Sequence, residues 1–268
     1  MKAVVLAAGR GSRMQASGGQ DPPLDPGQLA AAEAGRKTLI PFHGHPFLSH
    51  ILSALADGGV REVCLVVGPG DDPVRRRYAH LPNNRLRIDF AVQDTPTGSA
   101  HAVLAAERFA GSDPFLVVNG DNLYPAEVVA PLVALEGDGL VGFSAAALSR
   151  KANIPPERIA AFALLEVGAD GCLQRIVEKP SPEEAAAFGP DAGVSMTCWR
   201  FTPEIFDACR RVPPSPRGEY ELPDAVRLRV EEGSCFQVIP SEAGVLDLTR
   251  RSDIPAVEAW LRGREVRL

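Results

Sequence analysis

Residues 3–8, AVVLAA, form an unbroken apolar run that stops at Gly9, and no other feature limits the fold of this chain so strongly. A strand with apolar side chains on both faces must be covered on both faces. That is the situation of a strand in a parallel sheet with helices above and below it. Runs of the same kind recur at 63–67, 86–92 and 115–118. Between them, Phe47, Leu48, Ile51, Leu52 and Leu55 have helical spacing, and 100–109 is alanine-rich with a similar recurrence. Strands alternating with helices of about ten residues predict βαβ units. The expected class is therefore α/β: a Rossmann-like, three-layer α/β/α arrangement around a mostly parallel sheet.

The pattern changes near residue 139. Residues 140–148 and 159–167 read as strands, and Asp170-Gly171 marks a hairpin turn leading into a strand at 173–177. Helices are expected at 203–211, 223–231 and 254–262, the first with proline in its first turn. The second half should thus be mixed or antiparallel, giving one domain with halves at 1–138 and 139–268. Residues 15–36 are rich in Gly, Pro, Ala and Gln and read as a mobile loop with one helical turn at 28–34.

A net charge of -6 argues against a broad surface for nucleic acid or an acidic membrane, while leaving room for a local phosphate pocket. The five cysteines, at 64, 172, 198, 209 and 235, show no CxxC and no zinc-like spacing. They read as small core residues in a reducing compartment. No apolar run approaches the ~20 residues of a membrane span. The chain opens directly on a strand pattern rather than a signal peptide, so a cytoplasmic location is expected.

The sharpest chemical signal is Leu6-Ala7-Ala8-Gly9-Arg10-Gly11-Ser12-Arg13-Met14. A glycine-rich turn after a buried strand lets backbone N–H groups approach phosphate oxygens, and Arg13 adds a charged fork. A plain structural turn has the same form. Met14 stands where a dinucleotide fingerprint would need glycine, and no GK[ST] follows as in a Walker A loop. Lys37 is a second cation at the mouth of the first strand, unless the pair is merely solvated. Asp121 follows the apolar run 115–118, at the carboxyl edge where ligand sites of open α/β sheets gather. An aspartate there suits Mg²⁺, although turns and caps also use it.

Taken in order, Ala7-Ala8-Gly9-x-Gly11-Ser12-Arg13-Met14, Lys37-x-Leu39-Ile40-Pro41, Gln93…Gly98-Ser99-Ala100-His101-Ala102, Asn119-Gly120-Asp121, Glu178-Lys179-Pro180, Ala192-Gly193-Val194 and Asp247 resemble the sugar-1-phosphate nucleotidyltransferases. The loop is closest to thymidylyl- and uridylyl-type members. The resemblance spans nearly the whole chain and implies a GT-A-like nucleotidyltransferase fold. It implies that Ala8, Gly9, Gly11, Ser12 and Arg13 hold the nucleotide, with Gln93 and Gly98 reading the base. Arg13, Lys37 and Lys179 would be the catalytic cations, and Asp121 with Asp247 would hold Mg²⁺. Glu178, Lys179, Gly193 and Glu219 would bind the sugar phosphate.

The reaction so implied joins a nucleoside triphosphate, dTTP or UTP, to a sugar 1-phosphate and releases pyrophosphate. Gln93 to Ser99 could instead be a turn capped by Thr97 or Ser99. Glu178 and Lys179 could be a surface ion pair. His101 reads as a helix-start residue, since this reaction needs no general base. Departures are Asp191, where members handling N-acetylated sugars often have Asn, Ala163 at an expected glycine, and Leu248-Thr249-Arg250 after Asp247. A non-catalytic sensing domain and a cytidylyltransferase acting on an alcohol phosphate such as phosphocholine are the alternatives. A nicotinamide oxidoreductase is disfavoured by Met14 and the basic pair. With no hexapeptide-repeat tail, a single activity is expected; a homo-oligomer is compatible, with 15–36, an inserted segment that makes the spacing from Arg13 to Lys37 longer than in most members, as a lid or an oligomer contact.

Overall fold

The computed structural model describes every residue except Arg10, Ser17, Gly19, Gln20, Pro82, Asn83, Ala160, Ala161, Pro190 and Asp191. Its strands in chain order are β1 (Lys2–Leu6), β2 (Pro41–Phe42), β3 (His45–Pro46), β4 (Glu62–Val67), β5 (Arg87–Val92), β6 (Phe115–Asn119), β7 (Asn122–Leu123), β8 (Asp138–Ser144), β9 (Ala163–Val167), β10 (Leu173–Val177), β11 (Gly193–Ser195), β12 (Cys198–Phe201), β13 (Phe236–Ser241) and β14 (Leu246–Asp247). Among the described residues one sheet runs β10-β9-β11-β8-β12-β6-β1-β4-β5, with β13 joined to β8. The β5-β4-β1-β6 half is parallel, as the apolar runs require. Beyond it β12, β11, β9 and β10 pair antiparallel, and only β13 on β8 is parallel.

The alternation of side chains explains the three layers. Ala3, Val5, Leu65, Val67, Leu116 and Val118 enter one core, which the helices Phe47–Asp57, Ala126–Ala134 and Ile254–Leu261 cover. Val4, Cys64, Val66, Phe115 and Val117 enter the other, beneath Ser99–Ala105, Ile205–Arg211 and Leu222–Glu231. Both faces are dry, so neither could carry the polar alternation of a solvated sheet. No helix among the described residues is long and apolar enough to cross a membrane.

Several expectations need correction. The strand read at 140–148 ends at Ser144, whose hydroxyl accepts from Ala147 N at 3.2 Å and starts the helix Ala145–Lys151. Three alanines and a leucine behind a serine cap favour helix over further extension. The strand read at 159–167 is confined to Ala163–Val167, after a helical turn at Pro156–Ile159. Residues 26–33 form two helical turns, longer than the one expected, because Pro26 occupies the first turn and Asp25 with Gln28 completes a capping box.

The hairpin appears as read. β9 and β10 pair antiparallel around a turn in which Gly171 adopts φ 78°. Just past this turn, Cys172 bridges to Gln237, so the hairpin folds back onto β13, and a disulfide joins Cys172 to Cys235. Reading all five cysteines as free core residues is therefore wrong for two of them. Their 63-residue separation gives no local sign of the pair, which tertiary folding brings to a Cα separation of 5.4 Å. Cys64, Cys198 and Cys209 are free and buried as expected.

Candidate active site

A cleft of about 820 Å³ opens at the carboxyl ends of β1, β5 and β6. Its wall holds Ala8, Gly9, Ser12, Lys37, Gln93, Gly98, Asp121 and Glu219 among the residues singled out from sequence. Gly11, Arg13, Glu178, Lys179, Gly193 and Asp247 stand outside that wall. Arg13 is exposed on the short helix Ser12–Gln15, and Arg36 is the second cation that lines the cleft beside Lys37. Arg36 closes the inserted segment, whose composition drew attention away from any one of its residues.

The two loop glycines have different reasons to be glycine. A Cβ on Gly11, at φ 62°, would lie 2.1 Å from Gly35 O, so Gly11 lets the inserted segment pack against the loop. Gly9 would meet nothing within 4 Å and faces open space, as a backbone position kept clear for a ligand does. Among the described residues no protein acceptor takes up the N–H groups of Ala8, Gly9 or Gly11. Buried Arg251 steadies the loop from behind, donating to Met14 O and Gln15 O at 3.0 Å each.

Asp121 stands two residues past the end of β6 and forms an ion pair with Lys37 Nζ inside the cleft. Asp247 lies next to it through the β7–β14 pair: Leu248 N donates to Asp121 O at 2.9 Å, and Asp247 pairs with Asn122. Burial, and then the charge of Asp121, pushes the Asp247 carboxyl up to about 6. Three groups hold it. Thr249 Oγ1 donates to Oδ1 at 2.5 Å, Asn153 Oδ1 accepts from its backbone N–H at 2.8 Å, and Arg158 Nη2 stands 3.4 Å from Oδ1. Thr249 thus reaches the carboxylate although Leu248 stands between them, so the altered run preserves a hydroxyl contact.

Two adjacent carboxylates, one of them raised by burial and by the charge of the other, fit a divalent cation. Among the described residues no group of three or more His, Cys, Asp or Glu could cage a metal. Mg²⁺ takes one or two carboxylates and completes its shell with phosphate oxygens and water. Arg158 escaped the sequence reading. It is largely buried, donates from Nη1 to Asp253 Oδ1 at 2.8 Å, and keeps Nε and Nη2 without hydrogen-bond partners.

On the base side, Gln93 is buried and its Nε2 donates to Gly98 O at 3.0 Å. The other end of the amide remains an acceptor. Gly98 has φ 128°, and a Cβ there would sit 2.3 Å from Tyr220 O, so its glycine serves contact within the chain. Neither Thr97 nor Ser99 caps the helix Ser99–Ala105; Ser99 Oγ accepts from Leu222 N instead. Asp72, which also lines the cleft, spends its oxygens on Gly68 N, Val74 N and Arg75 N.

On the sugar side, Glu178 and Lys179 follow β10, close to Glu221 and Arg217 in the segment that carries Glu219. Burial raises the Glu178 carboxyl above its ordinary value, against the pull of Lys179, and burial raises Glu221 likewise. Lys179 has φ 49°, a left-handed conformation that a lysine adopts only under constraint, and such constraint concentrates at functional sites. A Cβ on Gly193 would touch Leu165 at 3.4 Å, an ordinary contact, so packing alone does not demand glycine. Ala163 is buried in the second core and faces away from solvent. Asp191 lies outside the described residues.

The family model described as nucleotidyl transferase matches residues 29–248. The chain belongs to this family. The match begins after the glycine loop, within the helix Pro26–Glu33 of the inserted segment. The bifunctional protein GlmU of Methanococcus maripaludis is 30% identical over 233 residues, covering 87% of this chain and 48% of that protein. The UTP–glucose-1-phosphate uridylyltransferase AglF of Haloferax volcanii is 29% identical over 98% of this chain and 97% of its own. A glucose-1-phosphate thymidylyltransferase of Streptomyces griseus is 30% identical over 87% of this chain and 58% of its own. The chain thus spans about half the length of GlmU and nearly all of AglF. A UDP-glucose pyrophosphorylase solved with UDP-glucose superposes with a TM-score of 0.73 at 18% identity, covering 98% of this chain and 99% of that one, a likeness of fold.

Proposed function

We propose that this family member transfers a nucleotidyl group from a nucleoside triphosphate to a sugar 1-phosphate, with dTTP or UTP as donor. The observation that carries the proposal is the convergence of Lys37, Asp121 and the open Gly9 backbone on one cleft at the carboxyl rim of the parallel strands. Members named for uridylyl and thymidylyl transfer to glucose 1-phosphate lie among its relatives, which supports the choice of donor and acceptor.

In this reading the halves 1–138 and 139–268 supply the nucleotide and sugar-phosphate sides. The N–H groups of Ala8, Gly9 and Gly11, with Ser12, Arg13, Arg36 and Lys37, bind the triphosphate and neutralise the departing pyrophosphate. Gln93 presents its carbonyl oxygen to the N3–H of uracil or thymine, a donor that cytosine lacks. Lys179 holds the acceptor phosphate for in-line attack on the α-phosphorus, and Glu178, Gly193 and Glu219 orient the sugar. No proton has to be removed, because the acceptor phosphate is already ionised. Asp121 and Asp247 would hold Mg²⁺, which when bound supplies positive charge to the phosphate oxygens. A cytoplasmic location and small-molecule substrates belong to the same proposal.

The test is a matrix of five nucleoside triphosphates against several sugar 1-phosphates and phosphocholine, read by pyrophosphate release with Mg²⁺. Turnover confined to a pyrimidine donor with a sugar 1-phosphate is expected. Nucleotide binding without pyrophosphate release from any pair would favour the sensing domain, and turnover with CTP and phosphocholine would favour the alcohol phosphate.

A further inference from the structure

The loop that carries Gly98 is fastened to the segment 217–222 by more contacts than a connecting turn requires. Tyr220 N donates to Thr97 O at 2.8 Å, Ala100 N donates to Tyr220 O at 2.9 Å, and Leu222 N donates to Ser99 Oγ at 2.8 Å. The Tyr220 ring stacks on His101 with centroids 3.9 Å apart and planes 17° apart. Thr97 Oγ1 lies 3.3 Å from Thr95 O and shares a hydrogen bond of 2.6 Å with Nδ1 of His101. His101 is thereby tied to the loop through its edge and to Tyr220 through its face. Gly98 lies between these fastenings, with no room for a side chain against Tyr220.

We infer that Tyr220 and His101 form a positioning clamp that fixes the base-reading loop and couples it to the sugar-side segment. The inference rests on the cleft being the nucleotide site proposed above. Gln93 Nε2 donates to Gly98 O, so the position of Gly98 decides where the Gln93 carbonyl oxygen points. Loosening of Gly98 would let that amide turn over, and a turned amide presents a donor where uracil needs an acceptor. Neither Tyr220 nor His101 lines the cleft, so neither touches the base. Glu219 lines the cleft one residue before Tyr220, and Glu221, one residue after, faces Lys179. The strap that steadies the base loop therefore also carries the groups on the sugar side. Filling of one side should stiffen the strap and lower the cost of filling the other.

Two variants separate the ring from the backbone contacts. Tyr220→Phe keeps the stack, whereas Tyr220→Leu keeps the backbone hydrogen bonds and removes it. An aromatic pair of this kind corresponds to a roughly 2- to 10-fold change in the equilibrium it controls. Tyr220→Leu should raise KM for the preferred pyrimidine triphosphate by about that factor, with kcat within about twofold, and should narrow the preference for UTP over CTP. Amide hydrogen exchange over 95–99 should quicken in Tyr220→Leu and stay at the wild-type rate in Tyr220→Phe, whether or not any nucleotide is turned over. Unchanged exchange and KM in Tyr220→Leu would overturn the clamp, as would Tyr220→Phe behaving like Tyr220→Leu. Calorimetry of UTP and dTTP on the wild-type protein judges the underlying site separately. A wild type that binds neither would remove the nucleotide site, while the exchange data still decide whether the stack fixes the loop.

Discussion

Gly9 and Gly11 stand two residues apart in one loop, yet alanine should act on them in opposite ways. At Gly11 the new Cβ would lie 2.1 Å from Gly35 O, in a backbone already at φ 62°. Holding alanine in that left-handed region costs roughly 1–2 kcal/mol. Relieving the overlap requires moving the backbone at Gly35, an overpacking cost of about 1–3 kcal/mol. The combined loss, about 3 kcal/mol, should lower Tm by roughly 6–12 °C in a chain of this size. At Gly9 the Cβ meets nothing within 4 Å, and stability should change by no more than about 0.5 kcal/mol. A methyl group there projects into the cleft where phosphate oxygens should lie, so nucleotide affinity should fall at least about tenfold. The assay is a thermal melt of both variants beside calorimetric titration with UTP and dTTP. Gly11→Ala melting with the wild type would refute the packing argument. Gly9→Ala binding nucleotide as the wild type does would refute the assignment of open space to a ligand.

Asp247 ionises near 6 in the fold against an ordinary value of 3.8, so the native state binds more protons than the unfolded chain between about pH 4 and 6. Stability from this group therefore falls as pH rises through that window, and Mg²⁺ should raise Tm more at pH 7.5 than at pH 5; equal shifts would contradict the shared metal site. Arg158→Met strands buried Asp247 and Asp253 without their cation and should cost about 3–5 kcal/mol in melts, with Arg158→Lys recovering part of it. A wild-type Tm in Arg158→Met would show that the buried pair carries no weight. Cys235→Ser opens a link across 63 residues and should lower Tm by about 5–15 °C, from a loss of about 2–4 kcal/mol. An unchanged melt would mean that packing and the hydrogen bonds from Gln237 and Val238 to Gly171 hold the hairpin to β13 without the disulfide.

What was legible in the sequence is what local pattern controls. The apolar runs at β1, β4, β5 and β6 announced a sheet buried on both faces, and Asp121 at the end of one run announced a carboxylate on its carboxyl rim. Asp170-Gly171 gave the hairpin because a turn is a local object. Boundaries failed where one residue changes the outcome, as at Ser144, which stops a strand and caps a helix in the same position. The features left unread depend on partners distant in sequence. Cys172 finds Cys235, Arg158 finds Asp247 and Asp253, and Gly98 finds Tyr220, none through a pattern visible in either segment. At Gly11 and Gly98, which the motif picks out, the contacts that require glycine are with this chain's own Gly35 and Tyr220.

In the proposed function Asp121, with Asp247 beside it, brings Mg²⁺ to a triphosphate already met by Lys37. Calorimetric titration of UTP into wild type and Asp121→Asn, with and without Mg²⁺, tests it most directly, with melts to verify that both are folded. Mg²⁺ should strengthen binding by at least about tenfold in the wild type and have no effect in Asp121→Asn, whose Tm is preserved. A Mg²⁺ enhancement of equal size in the folded variant would contradict it.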